Sequence, residues 1–270
     1  MRIAVSNLLW TRDQDEAVAA LLNRRGVDAI DIAPTRYFED VTTASPAGWR
    51  RVSRFWSDRG IAVTGLQSLL HGTTGLSIFG DAGCLQRTRD HLRTVMRIGA
   101  ELGAVQLVFG SQQKRDRGPL TEDQALDSAA GFFAELAADA CRLGVCLTVE
   151  PVSGRYGNNF LVNHEQAAAL VDRVASPGFR LTLDIGCVVL AGEDAVDVVR
   201  RHERLISHVH LAEDQLVPLH AGNPVHAVAG PAAARGLPGR VACIEALRPP
   251  EISSLDAIAR SLDVAQAHYG

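Results

Sequence analysis

Short β-branched runs alternate with longer stretches of apolar residues at helical spacing along the whole chain. The runs predict strands at residues 2–6, 28–32, 61–67, 104–109, 146–150, 180–184, 206–211 and 241–245. Between them, helices are predicted at 13–25, 46–59, 85–102, 121–143, 164–174 and 195–202, with a closing helix at 254–267. In the third of these, Leu92, Val95, Met96, Ile98 and Leu102 mark one apolar face. Gly26, Gly60, Gly103 and Gly144 each stand just past a predicted helix, where a left-handed cap favours glycine. Thr121, followed by Glu122 and Asp123, is the expected N-cap of the fourth helix.

Eight β/α units at roughly 30-residue spacing predict one closed (β/α)8 barrel, a TIM barrel, forming a single domain over residues 1–270. An open doubly wound sheet is the alternative. It loses ground because no GxGxxG follows the first strand and no GxxxxGK[ST] occurs anywhere. The weakest unit lies between strands seven and eight. Residues 214–240 are rich in Gly, Pro, Ala and His, with a faint helical pattern only at 227–235. A loop of that length beside a strand end is expected to cover a site.

Composition narrows the function classes. With 47% hydrophobic and 5% aromatic residues, the chain suits aliphatic strands under Ala- and Leu-rich helices. A formal charge of −4 argues against a nucleic-acid-binding face. No apolar run approaches the roughly 18–20 residues that span a bilayer, and no signal-peptide pattern opens the chain, so a cytoplasmic protein without membrane contact is expected. The five cysteines are odd in number, and Cys141 and Cys146 stand too far apart for a CxxC pair, which fits a reducing compartment.

The chemistry sits at the strand ends. Strand five runs into Glu150 before Pro151, strand six ends on Asp184, strand seven carries His210, and strand eight runs into Glu245. These residues are 34, 26 and 35 positions apart, one or two β/α units each, so a parallel barrel would gather them at one end. Three carboxylates and one imidazole suit a single divalent ion, Mn²⁺, Mg²⁺ or Co²⁺, with Zn²⁺ or Fe²⁺ also compatible. Such an ion polarises a carbonyl and acidifies the neighbouring C–H, and a flanking glutamate can move the proton.

With these residues in view the chain resembles the xylose-isomerase-like barrel superfamily of sugar isomerases and epimerases, distantly akin to endonuclease IV nucleases. The resemblance runs over essentially the whole length. It is carried by Gly110-Ser111 and Arg115, by Glu150-Pro151 with Tyr156-Gly157-Asn158-Asn159-Phe160, by Asp184-Ile185-Gly186, by Leu190-Ala191-Gly192-Glu193, by His208-Val209-His210 and by Ile244-Glu245. It implies Glu150, Asp184, His210 and Glu245 as metal ligands, with Glu150 and Glu245 as acid and base on opposite faces of a sugar. The ketose 3-epimerases of that superfamily differ at three positions around the substrate. Here Cys187 replaces a histidine, Leu216 an arginine and Tyr156 a glutamate. Dimers or tetramers are common in the superfamily, which makes a homodimer or homotetramer the expectation.

Further candidates surround this set. Gln67 ends strand three and His71 follows it; both are expected to touch substrate. Lys114, Arg115 and Arg117 follow strand four, with Arg115 expected to meet a phosphate or carboxylate. His208 shares a face of strand seven with His210, two residues away; His210 is the favoured ligand, and His208 is expected as a substrate contact or as a packed, hydrogen-bonding histidine. Glu213, His220 and His226 lie in or beside the long loop, with Glu213 and His226 as substrate contacts. Trp10 offers an apolar wall, Asp31 is a further strand-end residue, and Cys187 reads as a buried thiol. The expected activity is isomerisation or epimerisation of a sugar, sugar acid or sugar phosphate through a cis-enediolate. A dehydratase or lyase on a sugar-like acid, an endonuclease IV-like phosphodiesterase and an inactive sugar-binding barrel are the alternatives.

Overall fold

The computed structural model describes residues 1–248 and 250–270. Eight parallel strands close into a barrel in sequence order: β1 (Arg2–Ser6), β2 (Ala29–Ile32), β3 (Ala62–Leu66), β4 (Gln106–Phe109), β5 (Cys146–Val149), β6 (Phe179–Asp184), β7 (Ile206–Leu211) and β8 (Val241–Ile244). Closure is made by β1 and β8, where Arg2 pairs with Val241 and Val5 with Ile244. The helices around them are α1 (Asp15–Arg24), α2 (Pro46–Ser57), α3 (Ala82–Leu102), α4 (Glu122–Leu143), α5 (His164–Val174), α6 (Ile185–Ala191), α7 (Ala195–His202), α8 (Val225–Gly236) and α9 (Ser254–Tyr269). The barrel is therefore the predicted one, and the open sheet is excluded by the β1–β8 ladder.

The strands are short and aliphatic because both faces are covered, one by the barrel interior and one by the helices. Leu107, Leu147, Val149, Leu181, Leu183, Val209 and Ile244 are all fully buried. Each such side chain stabilises the fold by about 1.5–3 kcal/mol before the entropy of ordering it is counted. The caps follow the sequence signals. Thr121 accepts a hydrogen bond from the Gln124 amide at the start of α4, and Gly103 and Gly144 end their helices in the left-handed conformation, φ +82° and +69°.

Three helices depart from expectation. α3 starts at Ala82 rather than residue 85, because the Asp81 carboxylate accepts the Cys84 amide and sets the first turn. The 214–240 stretch contains α8, longer than the faint pattern at 227–235. Its Ala- and Gly-rich sequence weakens the periodic signal while serving the packing. A side chain at Gly230 would strike the backbone of His268, so glycine there lets α9 lie close against α8. α6, absent from the sequence reading, starts directly after Asp184, whose side chain accepts the Cys187 amide as its N-cap. Among the described residues no helix is long and apolar enough to cross a membrane.

Candidate metal centre

Because the strands run parallel, their C-terminal ends open at one rim, above which lies a cavity of about 1350 Å³. Asp184 pairs with His210 across the β6–β7 ladder. The amide of Glu150 donates to Phe109 O of β4 (3.2 Å) and that of Glu245 to Leu211 O of β7 (3.0 Å), so each glutamate extends its strand by one ladder position. The register gathers one donor atom from each of Glu150, Asp184, His210 and Glu245 within 4.8 Å of one another. His210 Nδ1 faces Glu150 Oε1 at 2.5 Å and Glu245 Oε2 at 3.2 Å. All four residues are buried or nearly so, and the three carboxylates line the cavity.

Three carboxylates against one imidazole leave a surplus of negative charge out of water, and the protonation equilibria show it. Burial raises the Asp184 carboxyl, and the charges of Glu150 and Glu245 add to that, so it lies well above the usual range. Burial alone would lower His210, yet Glu150 and Glu245 hold it well above the usual histidine value. Glu150, despite burial, is held low by His210 and by Arg115. The cluster therefore holds protons where a divalent cation would serve, and its hard oxygens and one borderline nitrogen fit such an ion. The Cys187 thiol beside it is pushed up by burial and by Asp184, so it stays protonated and lines the cavity as a thiol.

Several supports hold these side chains. Gln67 Nε2 donates to Glu245 Oε1 (2.5 Å), and Gln67 also lines the cavity. His164 Nε2 lies 3.2 Å from the Asp184 amide, and its Nδ1 lies 2.6 Å from Glu193. Gly110 stands against Glu150, where any side chain would collide with the carboxylate. One layer deeper, His208 Nε2 meets Asp31 Oδ2 at 2.7 Å, with Thr64 Oγ1 on the other oxygen of Asp31.

The structure redistributes the remaining candidates. His71 and Glu213 line the cavity as expected of substrate contacts. Arg115 does not; it is fully buried and donates to the carbonyls of Glu150 (2.8 Å) and Phe109 (3.1 Å). Burial lowers its pKa to about 10. The residue facing the cavity from that run is Lys114, while Arg117 is spent on Asn159 and Leu120. His226 is also fully buried, between Tyr269 Oη (2.9 Å) and Glu213 (3.2 Å), so it steadies Glu213 from behind. His208, likewise sealed, has no access to substrate. Trp10 is packed edge-on against Trp56 with its Nε1 on Asp15, away from the cavity. His220 lies on the surface of the 214–240 stretch, its amide on Glu213.

Other residues at the site carried no local signal. His164 and Glu193 are 29 residues apart and meet only because α5 and the end of α6 flank β6. Arg12 and Arg36 lie in the loops that follow β1 and β2 and line the cavity, several residues beyond the strand ends, so a search confined to strand ends passes them by. Tyr156, in the loop after β5, donates to Asp214 and accepts the Gln215 amide (3.0 Å), tying that loop to the one after β7.

Solved structures share this architecture. D-psicose 3-epimerase in the presence of D-fructose superposes with a TM-score of 0.83 at 15% identity, covering 100% of both chains. The E. coli 3-keto-D-glucoside 4-epimerase gives 0.78 at 15%, over 97% of this chain and 98% of that one. The IOLI protein with a bound zinc atom gives 0.78 at 16%, over 100% and 98%. At such identities the likeness is one of fold. A search of curated protein sequences found no match. The sequence profile described as xylose isomerase-like TIM barrel matches residues 19–268, nearly the whole chain. Together with the closed eight-strand barrel, that match makes the protein a member of the xylose isomerase-like TIM barrel family.

Proposed function

We propose that the protein is a divalent-metal-dependent isomerase or epimerase of a sugar or sugar derivative, acting by proton transfer at the carbon beside a carbonyl. One observation carries the reading: the two glutamates that follow β5 and β8 converge with Asp184 on the floor of one cavity, and buried His210 brings a fourth donor within 4.8 Å of theirs. Glu150, Asp184, His210 and Glu245 would hold the ion, which supplies Lewis acidity toward a carbonyl and its neighbouring hydroxyl. One of the two glutamates takes the proton to give a cis-enediolate, and the other returns it, from the opposite face in an epimerase. Gln67 orients Glu245 for this, and Arg115 holds the backbone carbonyl of Glu150. The sugar epimerases among the structural neighbours, D-psicose 3-epimerase and 3-keto-D-glucoside 4-epimerase, support the reading. The phosphodiesterase alternative is disfavoured by the donor supply. Among the described residues only two groups of His, Cys, Asp and Glu are close enough to share an ion, and both use His210.

Metal analysis of the purified protein beside Asp184→Asn tests the centre. About one equivalent of metal, lost in the variant, is expected. Solvent-deuterium incorporation into candidate ketoses and their phosphates then tests the chemistry, with Glu245→Gln as the variant that keeps shape and loses the base. Protein that takes up no metal even on reconstitution, or a Glu245→Gln variant with full turnover, overturns the proposal.

A further inference from the structure

The cavity is electrically divided. Among the described residues, every carboxylate lining it except Glu39 comes from the β5–β8 half: Glu150, Asp184, Glu213 and Glu245. Every lysine or arginine lining it comes from the β1–β4 half: Arg12, Arg36 and Lys114. These three follow β1, β2 and β4, so they arc around the rim opposite the proposed metal centre.

The three cations are held but not neutralised. Arg36 Nη2 donates to the Leu8 carbonyl (3.2 Å), and Lys114 Nζ to the Thr73 carbonyl (2.7 Å). The Arg12 guanidinium sits 5.8 Å from the centre of the Tyr37 ring. Arg2, Arg59 and Arg93, on the outer layer, have carboxylate partners within 4 Å, whereas Arg12, Arg36 and Lys114 have none among the described residues, Glu39 included. Carbonyl and aromatic anchors fix a cation's place while leaving its charge for a ligand. The cavity, about 1350 Å³, also exceeds the roughly 300–1000 Å³ of ordinary small-molecule pockets, which leaves room beyond one sugar ring.

We infer that the substrate is a phosphorylated sugar, bound with its phosphate among Arg12, Arg36 and Lys114 and its reacting carbonyl at the glutamates. This rests on the proposed function for the reacting end only. A phosphate ester carries a charge of about −1.5 to −2 and three terminal oxygens, enough for three donors on separate loops, whereas a carboxylate has two oxygens and one charge. Arginine forks suit phosphate oxygens in pairs and lysine adds a point charge. The division of the cavity also sets polarity: the β5–β8 half repels the phosphate and the β1–β4 half draws it in.

Titration with inorganic phosphate tests the subsite independently of which sugar is bound, on protein as purified and after chelation of metal. Binding in the millimolar range is expected, weaker at high salt, and at least about tenfold weaker in Arg12→Gln/Arg36→Gln. Metal content in that double variant should be unchanged. Fructose 6-phosphate should bind metal-loaded protein more tightly than fructose does, and the double variant should erase the difference. Phosphate binding that is absent, insensitive to the arginine changes or abolished by chelation overturns the inference. So does gluconate binding that equals fructose 6-phosphate binding and depends on the same arginines, which would identify a sugar acid instead. If the protein holds no metal, the proposed function fails while the phosphate titration still decides this inference.

Discussion

The imidazole of His164 accepts a hydrogen bond from the backbone amide of Asp184 (3.2 Å). An amide can only donate, so Nε2 carries the lone pair and Nδ1–H donates to Glu193 Oε2 (2.6 Å). The tautomer is thereby set, and a fully buried ring pins the residue that caps α6 and faces the proposed ion. His164→Phe fills the space but strands that amide. It should cost about 1–3 kcal/mol of stability and weaken metal binding roughly 10–100-fold. Metal titration by calorimetry beside thermal unfolding checks both. A variant with wild-type metal affinity would show that the pairing does not position Asp184.

Gly110 and Glu150 make a second close relationship, since any side chain at 110 meets the carboxylate. Gly110→Ala should leave the barrel folded and push Glu150 off its position. Loss of turnover by about 100-fold or more is expected, with a circular-dichroism spectrum like that of the parent. Unchanged turnover would mean that Glu150 can move without consequence.

Arg115 is a structural cation, and its substitution should be felt in stability. Arg115→Lys keeps the charge but cannot span the carbonyls of Glu150 and Phe109 with a planar fork. A loss of about 1–3 kcal/mol in denaturant unfolding is expected. Its effect on phosphate binding should be slight, in contrast to Arg12→Gln and Arg36→Gln.

His226 gives a pH dependence. Burial lowers its pKa below the ordinary value, outweighing the opposing pull of Glu213. A lowered folded-state pKa means the unfolded chain takes up more protons. The stability due to neutral His226 is then fully present above about pH 6.5 and lost as pH falls through the folded-state value. Unfolding free energies of the parent and His226→Asn, measured in steps from about pH 7.5 to 5, should converge toward acid. A gap that is constant or widens contradicts this account.

The barrel was legible in the sequence because it rests on local regularities. Eight apolar runs of strand length alternate with seven stretches of helical apolar spacing, four of them stopped by glycine, and a parallel closed sheet is the arrangement that buries them all. Glu150, Asp184, His210 and Glu245 were legible for the same reason, since each ends a strand and parallel strands share an end. What the sequence alone could not decide was the direction of side chains in loops and the partners of buried polar groups. Lys114 and Arg115 are adjacent, yet one faces the cavity and the other is sealed under it, because the loop after β4 turns between them. His226 and Glu213, thirteen residues apart, look alike as loop residues, but α8 buries the first behind the second. Such outcomes depend on which distant backbone carbonyl or carboxylate lies within hydrogen-bond reach. That is a property of the closed barrel as a whole, and no short stretch of sequence contains it.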